Sequence, residues 1–87
     1  MANHKSAQKR IRQSERRRQR NKHIRTGMRT QISIFLAAVE SKDGAQAQER
    51  FRAAERAIRK AASKGVIPAR RASRKVGRLS QLMAPLA

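Results

Sequence analysis

Residues 24–61 read IRTGMRTQISIFLAAVESKDGAQAQERFRAAERAIRKA, and the spacing of their apolar side chains decides the fold. Ile24, Met28, Ile32, Phe35 and Val39 follow one another at intervals of four, four, three and four residues. At about 3.6 residues per turn, that spacing collects them on one face of a helix. Ser41-Lys42-Asp43-Gly44 then interrupts the pattern. Asp43, with Gln46 three residues on, forms a capping-box signature for a second helix. Ala47, Phe51, Ala54, Ile58 and Ala61 recur at four, three, four and three, the seam spacing of packed helices.

Working outward, Gly65 suits the C-terminal stop of the second helix. Pro68 suits the first position of a third. There Ala72, Val76, Leu79, Met83 and Leu86 repeat the same spacing, and Pro85 is expected to end the helix before Leu86. Upstream, nothing from about Ser6 to Glu40 breaks a helix except Gly27. The boundaries predicted are therefore 6–40, 44–64 and 68–84 within one domain, 1–87, and no segment alternates with the period of a strand. The expected fold class is all-α: an antiparallel three-helix bundle with Phe35 and Phe51 in its core. A first helix of roughly 50 Å, at about 1.5 Å per residue, outruns its partners. Its basic N-terminal half should project beyond the bundle.

The chain has 87 residues, with 23 Lys and Arg against five Asp and Glu, a formal charge of +18. Self-repulsion at that charge works against any compact state, so the balance points to a polyanionic partner. There is no Cys, which removes disulfides, thiolate chemistry and Cys-based zinc sites. His4 and His23 stand far apart, and no local pattern pairs either with a carboxylate. His23 reads as a polar residue on the partner-facing helix. Glu15, Glu40, Asp43, Glu49 and Glu55 are scattered, and the four glycines are isolated rather than clustered in a phosphate-binding loop. The reading is not an enzyme, with no cofactor, metal or small-molecule substrate. The longest apolar run, Ile34 to Val39, is too short for a signal peptide or a membrane span, so the expected compartment is the cytoplasm.

Composition changes near Thr30. Eleven basic residues precede it: Lys5, Lys9, Arg10, Arg12, Arg16, Arg17, Arg18, Arg20, Lys22, Arg25 and Arg29, against the single acid Glu15. On a helix, Arg12, Arg16 and Arg20 form one row, with Lys9 three residues before it; Arg18, Lys22, Arg25 and Arg29 form another. Like charges at that spacing oppose their own helix by a few tenths of a kcal/mol each, roughly, unless something neutralises them. All eleven are expected to lack intramolecular acidic partners, and phosphates are the natural neutraliser because the guanidinium fork bonds them in pairs. Lys64, Arg70, Arg71, Arg74, Lys75 and Arg78 form a second basic patch, opposite the apolar side of the third helix. The only aromatic residues are Phe35 and Phe51, both on apolar stripes, so the stacking platform of single-strand binders is missing. Recognition should rest on phosphate, ribose and the shape of a folded RNA. A histone-like DNA-compacting protein is the alternative, since a long cationic helix also suits duplex DNA. A membrane-active helix is disfavoured by the lack of interfacial Trp.

The opening Met1-Ala2-Asn3, with Lys5-Ser6-Ala7, Lys9-Arg10 and Gln13-Ser14-Glu15 running into Arg16-Arg17, resembles the bacterial small-subunit ribosomal protein twenty family. So does Lys60-Ala61-Ala62-Ser63-Lys64-Gly65-Val66-Ile67, followed by Arg74-Lys75 and Arg78-Leu79. The resemblance covers nearly the whole chain. It implies a three-helix bundle with an extended first helix. It also implies a structural role in the small ribosomal subunit, with binding to 16S ribosomal RNA in the 5′ domain and near the long helix of the 3′ minor domain, early in assembly. By position, the N-terminal RNA contacts would fall on Lys5, Ser6, Lys9, Arg10, Arg12, Arg16, Arg17 and Arg20. The chain departs from the family at Pro68-Ala69-Arg70-Arg71, where a His usually follows Ile67, and at Gly77, where Ser is more usual.

One further expectation concerns the N-terminal half of the first helix. From Lys5 to His23 its only large apolar residue is Ile11, too little to offset an ordering cost of about 1–2 kcal/mol per residue. That segment should gain its stable helix when phosphates neutralise both basic rows.

Overall fold

A computed structural model describes residues 3–86; Met1 and Ala2, which open the resembling stretch, lie outside the described residues. Three α-helices follow in order: α1 (Asn3–Glu40), α2 (Gly44–Ser63) and α3 (Ala69–Met83), then a 3₁₀ turn at Ala84–Leu86. Short connections reverse the chain twice, and α2 packs against both α1 and α3. The 38 residues of α1 make a rod of about 57 Å. The molecule accordingly measures 64 × 21 × 13 Å. Its radius of gyration is 17.6 Å, against roughly 12 Å for a compact chain of this length.

Helix α1 begins at Asn3 rather than near Ser6, because nothing between those residues breaks a helix, and Gly27 does not interrupt it. His4 is thus in the first turn of α1, exposed. Its end uses Lys42 in the left-handed region at φ 57°. At the start of α2, the Gln46 backbone N–H donates to the Asp43 carboxylate at 3.2 Å. The return bond of a full capping box, from the Gln46 side chain, is not formed among the described residues. Helix α2 ends at Ser63, one residue before the boundary read from the sequence, with Lys64 as its cap. Gly65, at φ 74°, donates to the Ala62 carbonyl (3.0 Å) and Val66 to that of Ala61 (2.8 Å). This reciprocal pair satisfies carbonyls the helix end would otherwise leave open, and the left-handed residue it needs is best supplied by glycine.

Pro68 is the cap of α3, not its first helical residue. Its ψ of 147° is extended, and its carbonyl accepts from the Ala72 N–H at 3.0 Å. At the other end α3 stops at Met83, and Pro85 sits in the tighter 3₁₀ turn that brings Leu86 back onto the core. That return demands a small residue opposite it. A Cβ on Gly44 would stand 2.7 Å from the Leu86 carbonyl oxygen.

The core combines the predicted stripes. Met28, Phe35 and Ala38 of α1 meet Ala47, Ala54, Ile58 and Ala61 of α2 and Ala72, Leu79 and Met83 of α3. Ile24, Ile32, Val39, Val76 and Leu86 pack around them, half-buried. Ile67, in the turn before α3, is also buried and was not among the expected core residues. Phe51 departs from expectation. Phe35 is fully enclosed, but Phe51 is only half-buried and leans on it with ring centroids 5.7 Å apart and planes tilted by 58°. The buried Ala47, Ala54, Ile58 and Ala61 span an arc of about 60° around α2, and Phe51 falls just outside its edge.

Phe35→Ala should therefore destabilise the bundle by about 3–5 kcal/mol, and Phe51→Ala by clearly less. Equal losses in urea unfolding would show both rings to be enclosed alike. A second expectation concerns α1, where every residue from His4 to Arg20 is exposed. Helix there rests on backbone bonds and the exposed Arg18–Glu15 pair, and is marginal in water. Amides from Lys5 to His23 should exchange fast in the free protein and slow down once a nucleic-acid partner is bound, with helicity rising. Strong protection before binding would refute the coupling.

Candidate nucleic-acid interface

The side chains expected to bind are presented by α1 and α3 on their uncovered faces. Lys5, Ser6, Lys9, Arg10, Arg12, Arg16, Arg17, Arg18, Arg20 and Lys22 are all exposed on the part of α1 that runs past the bundle. Arg29 is exposed beside the core face of α1, and Arg25 is half-buried there. Lys64 in the second turn, and Arg70, Arg71, Arg74 and Arg78 on α3, are exposed; Lys75 is half-buried. The fold does not gather them into one pocket. It sets a long cationic rod and a shorter cationic face on one elongated body.

Around the rod, a residue advances by about 100°. The row Lys9, Arg12, Arg16 and Arg20 and the row Arg18, Lys22, Arg25 and Arg29 therefore run along nearly opposite sides. Arg10 and Arg17 lie between them, on the side that carries the apolar stripe further along. One strip is left without cations: Gln8, Glu15, Gln19 and Thr26. The cations thus cover most of the rod's circumference, and that strip carries none.

The sequence-based expectation that none of the eleven N-terminal cations has an acidic partner needs one correction. Arg18 bonds Glu15 at 2.7 Å, an i,i+3 contact the spacing permits. Both side chains are more than half exposed, so the pair contributes little to stability. The other ion pair among the described residues, Arg59–Glu55 at 3.5 Å, lies on α2. That leaves ten of the eleven N-terminal cations without an acid among the described residues.

A third basic row escaped the reading of the sequence. Arg52, Arg56 and Arg59 follow at four and three residues along the outer face of α2, all exposed, with Lys60 beside them. Their spacing was legible, but the acids Glu49 and Glu55 in the same segment diluted the local charge. No group of His, Asp or Glu able to hold a metal occurs among the described residues. No helix there is long and apolar enough to cross a membrane. Both aromatic rings are engaged in the bundle, so neither is available for stacking.

These features define a class: a small, highly basic, all-helical protein whose exposed faces match a polyanion. A family model described as Ribosomal protein S20 matches residues 2–84. The chain is 54% identical over 83 residues, 95% of each chain, to the small ribosomal subunit protein bS20 of Geobacter metallireducens. It is 45% identical over its full length to the protein of that name from Anaeromyxobacter sp., of which 97% is covered. It is 46% identical to that of Helicobacter pylori, with 92% of this chain and 90% of the relative aligned. The chain belongs to the ribosomal protein S20 family, a family of structural proteins and not of enzymes.

The geometry predicts an asymmetry around the rod. Replacing both Arg16 and Arg20 by Ala should lower the salt concentration that elutes the protein from an immobilised polyanion. Gln19→Ala, on the cation-free strip, should leave elution where it was. Equal shifts would mean that the rod has no preferred faces.

Proposed function

We propose that the chain is a structural constituent of the small ribosomal subunit in the cytoplasm, and that it binds folded 16S ribosomal RNA directly and supports assembly of the subunit. The observation that carries this reading is the exposed N-terminal rod. Among the described residues, ten of the eleven cations in that segment have no acidic partner, and the exposed part of the rod buries no side chain of its own. RNA phosphates would neutralise rows that otherwise repel, and arginine is suited to bond them in pairs. With both rings packed in the bundle, recognition rests on phosphate, ribose and duplex shape. The relatives carry the name of a small-subunit protein, which favours ribosomal RNA over DNA as the polyanion.

In this reading Lys5, Ser6, Lys9, Arg10, Arg12, Arg16, Arg17, Arg18, Arg20, Lys22, Arg25 and Arg29 form the principal RNA surface. Lys64, Arg70, Arg71, Arg74, Lys75 and Arg78 form the second. The resemblance to the family suggests the 5′ domain and the long helix of the 3′ minor domain as the RNA segments engaged.

Neutralising about eight phosphates should make log affinity fall with log salt at a slope of roughly −6 to −7. A slope shallower than about −2 would end the phosphate-dominated reading. Competition at equal salt should favour the folded ribosomal RNA over duplex DNA, and in lysate the protein should sediment with the small subunit. Equal competition by duplex DNA, with no co-sedimentation, would favour a DNA-compacting protein instead.

A further inference from the structure

Between α1 and α2, at the point where the rod leaves the bundle, lies a groove of about 220 Å³ lined by His23, Ile24, Gly27, Met28, Gln31, Ala57 and Lys60. We propose that this groove receives a single unpaired nucleotide of the bound RNA, so that a chain otherwise reading phosphates also reads one base. The inference rests on the RNA-binding reading above and adds to it a site outside the arginine rows.

The first observation is Gly27. It sits inside a continuous α-helix, where glycine is the poorest residue short of proline. The backbone there does not require it, since only Gly65 among the glycines has a positive φ. Packing does not require it either, because an added Cβ would meet nothing within 4 Å. Within the molecule, then, an alanine methyl at position 27 would improve the helix at no steric cost. What the glycine does supply is a bare stretch of helix backbone facing the groove, against which a sugar or base edge can lie closely.

The second observation is the chemistry of the lining. Ile24, Met28 and Ala57 offer an apolar surface to the face of a base. At the rim, Gln31 carries both a donor and an acceptor, His23 a ring nitrogen of each kind when neutral, and Lys60 three donors and a positive charge. Unpaired bases are the targets that side chains in RNA-binding proteins read by such edge contacts. The volume is below the roughly 300–1,000 Å³ of small-molecule pockets, which suits one nucleobase better than a whole cofactor.

The third observation is charge. None of the five acids lines the groove, and Lys60 sits at its edge. Along α1, Arg16, Arg20 and Gly27 fall within about 40° of one line. The same row lines shallow clefts made by Lys9, Arg12, Gln13, Arg16, Arg17 and Arg20. A strand whose phosphates follow that row is led directly to the groove.

The test compares the full-length protein with Gly27→Leu and Gly27→Ala, using a transcript of the ribosomal RNA 5′ domain and nucleotide-resolution chemical footprinting. Leu carries its side chain into the groove mouth from a Cβ that meets nothing within 4 Å. It should weaken binding about tenfold while leaving the salt slope and the rest of the footprint intact, with protection lost at one unpaired nucleotide. Ala should raise the helicity of the free protein without tightening the complex. Lys60→Gln should weaken protection of that same nucleotide. If Gly27→Leu binds as tightly as the parent, or tighter, with an unchanged footprint, the groove is empty in the complex and the proposal is wrong. Failure of the parent protein to bind the transcript would instead overturn the RNA-binding reading beneath it.

Discussion

Close approach of helix backbones along an alanine seam is the constraint on which the rest of this molecule depends. Ala47, Ala54 and Ala61 have no exposed surface, and Ala38 and Ala72 have almost none. Small side chains let α2 lie tightly against both neighbours, and among the described residues only Phe35 and Ile58 are large and fully enclosed. The core is correspondingly thin, and a domain of this size has little stability to spare. Each accessory device therefore matters: the Asp43 cap, the Gly65 turn, Ile67 beneath the second connection, and the return of Leu86 over Gly44. Phe51, at the edge of that seam, stands half outside.

A core this narrow can organise only about half of α1, and charge decides which half. The segment with the apolar stripe is drawn into the bundle. The segment with Lys and Arg on most of its circumference has nothing to bury and is left as a rod. Its cations resist any compact arrangement of the chain on itself, because the whole protein holds only five acids. Burial and charge thus separate along one helix. The half that folds by burial positions the half that carries the charge, and the junction between them is where the groove at Gly27 forms.

Much of this was legible in the sequence. The apolar spacings of Ile24 to Val39, Ala47 to Ala61 and Ala72 to Met83 give three helices and their inward faces, since periodicity follows from helix geometry alone. The basic run, its rows and the missing stacking residues are equally plain. Less legible were features decided by a single atom's reach. Pro68 suits either a cap or a first helical position, and only its extended ψ distinguishes them. Arg18 finds Glu15 because rotamers of both side chains point along the same face. The row Arg52, Arg56 and Arg59 was hidden by nearby acids that in three dimensions leave two of those arginines unpaired.

By itself, then, the sequence determined the helical class, the inward faces, the concentration of positive charge and the family, because these rest on local periodicity, on summed charge and on residue identity. Tertiary structure alone decided how deeply each stripe residue lies, which arginines are left without an acid, and that Gly27 faces Ala57 and Lys60 across a groove. Those are relations between helices. They depend on the distance and rotation at which α1 and α2 meet, which packing of the alanine seam sets and no spacing along one chain segment encodes.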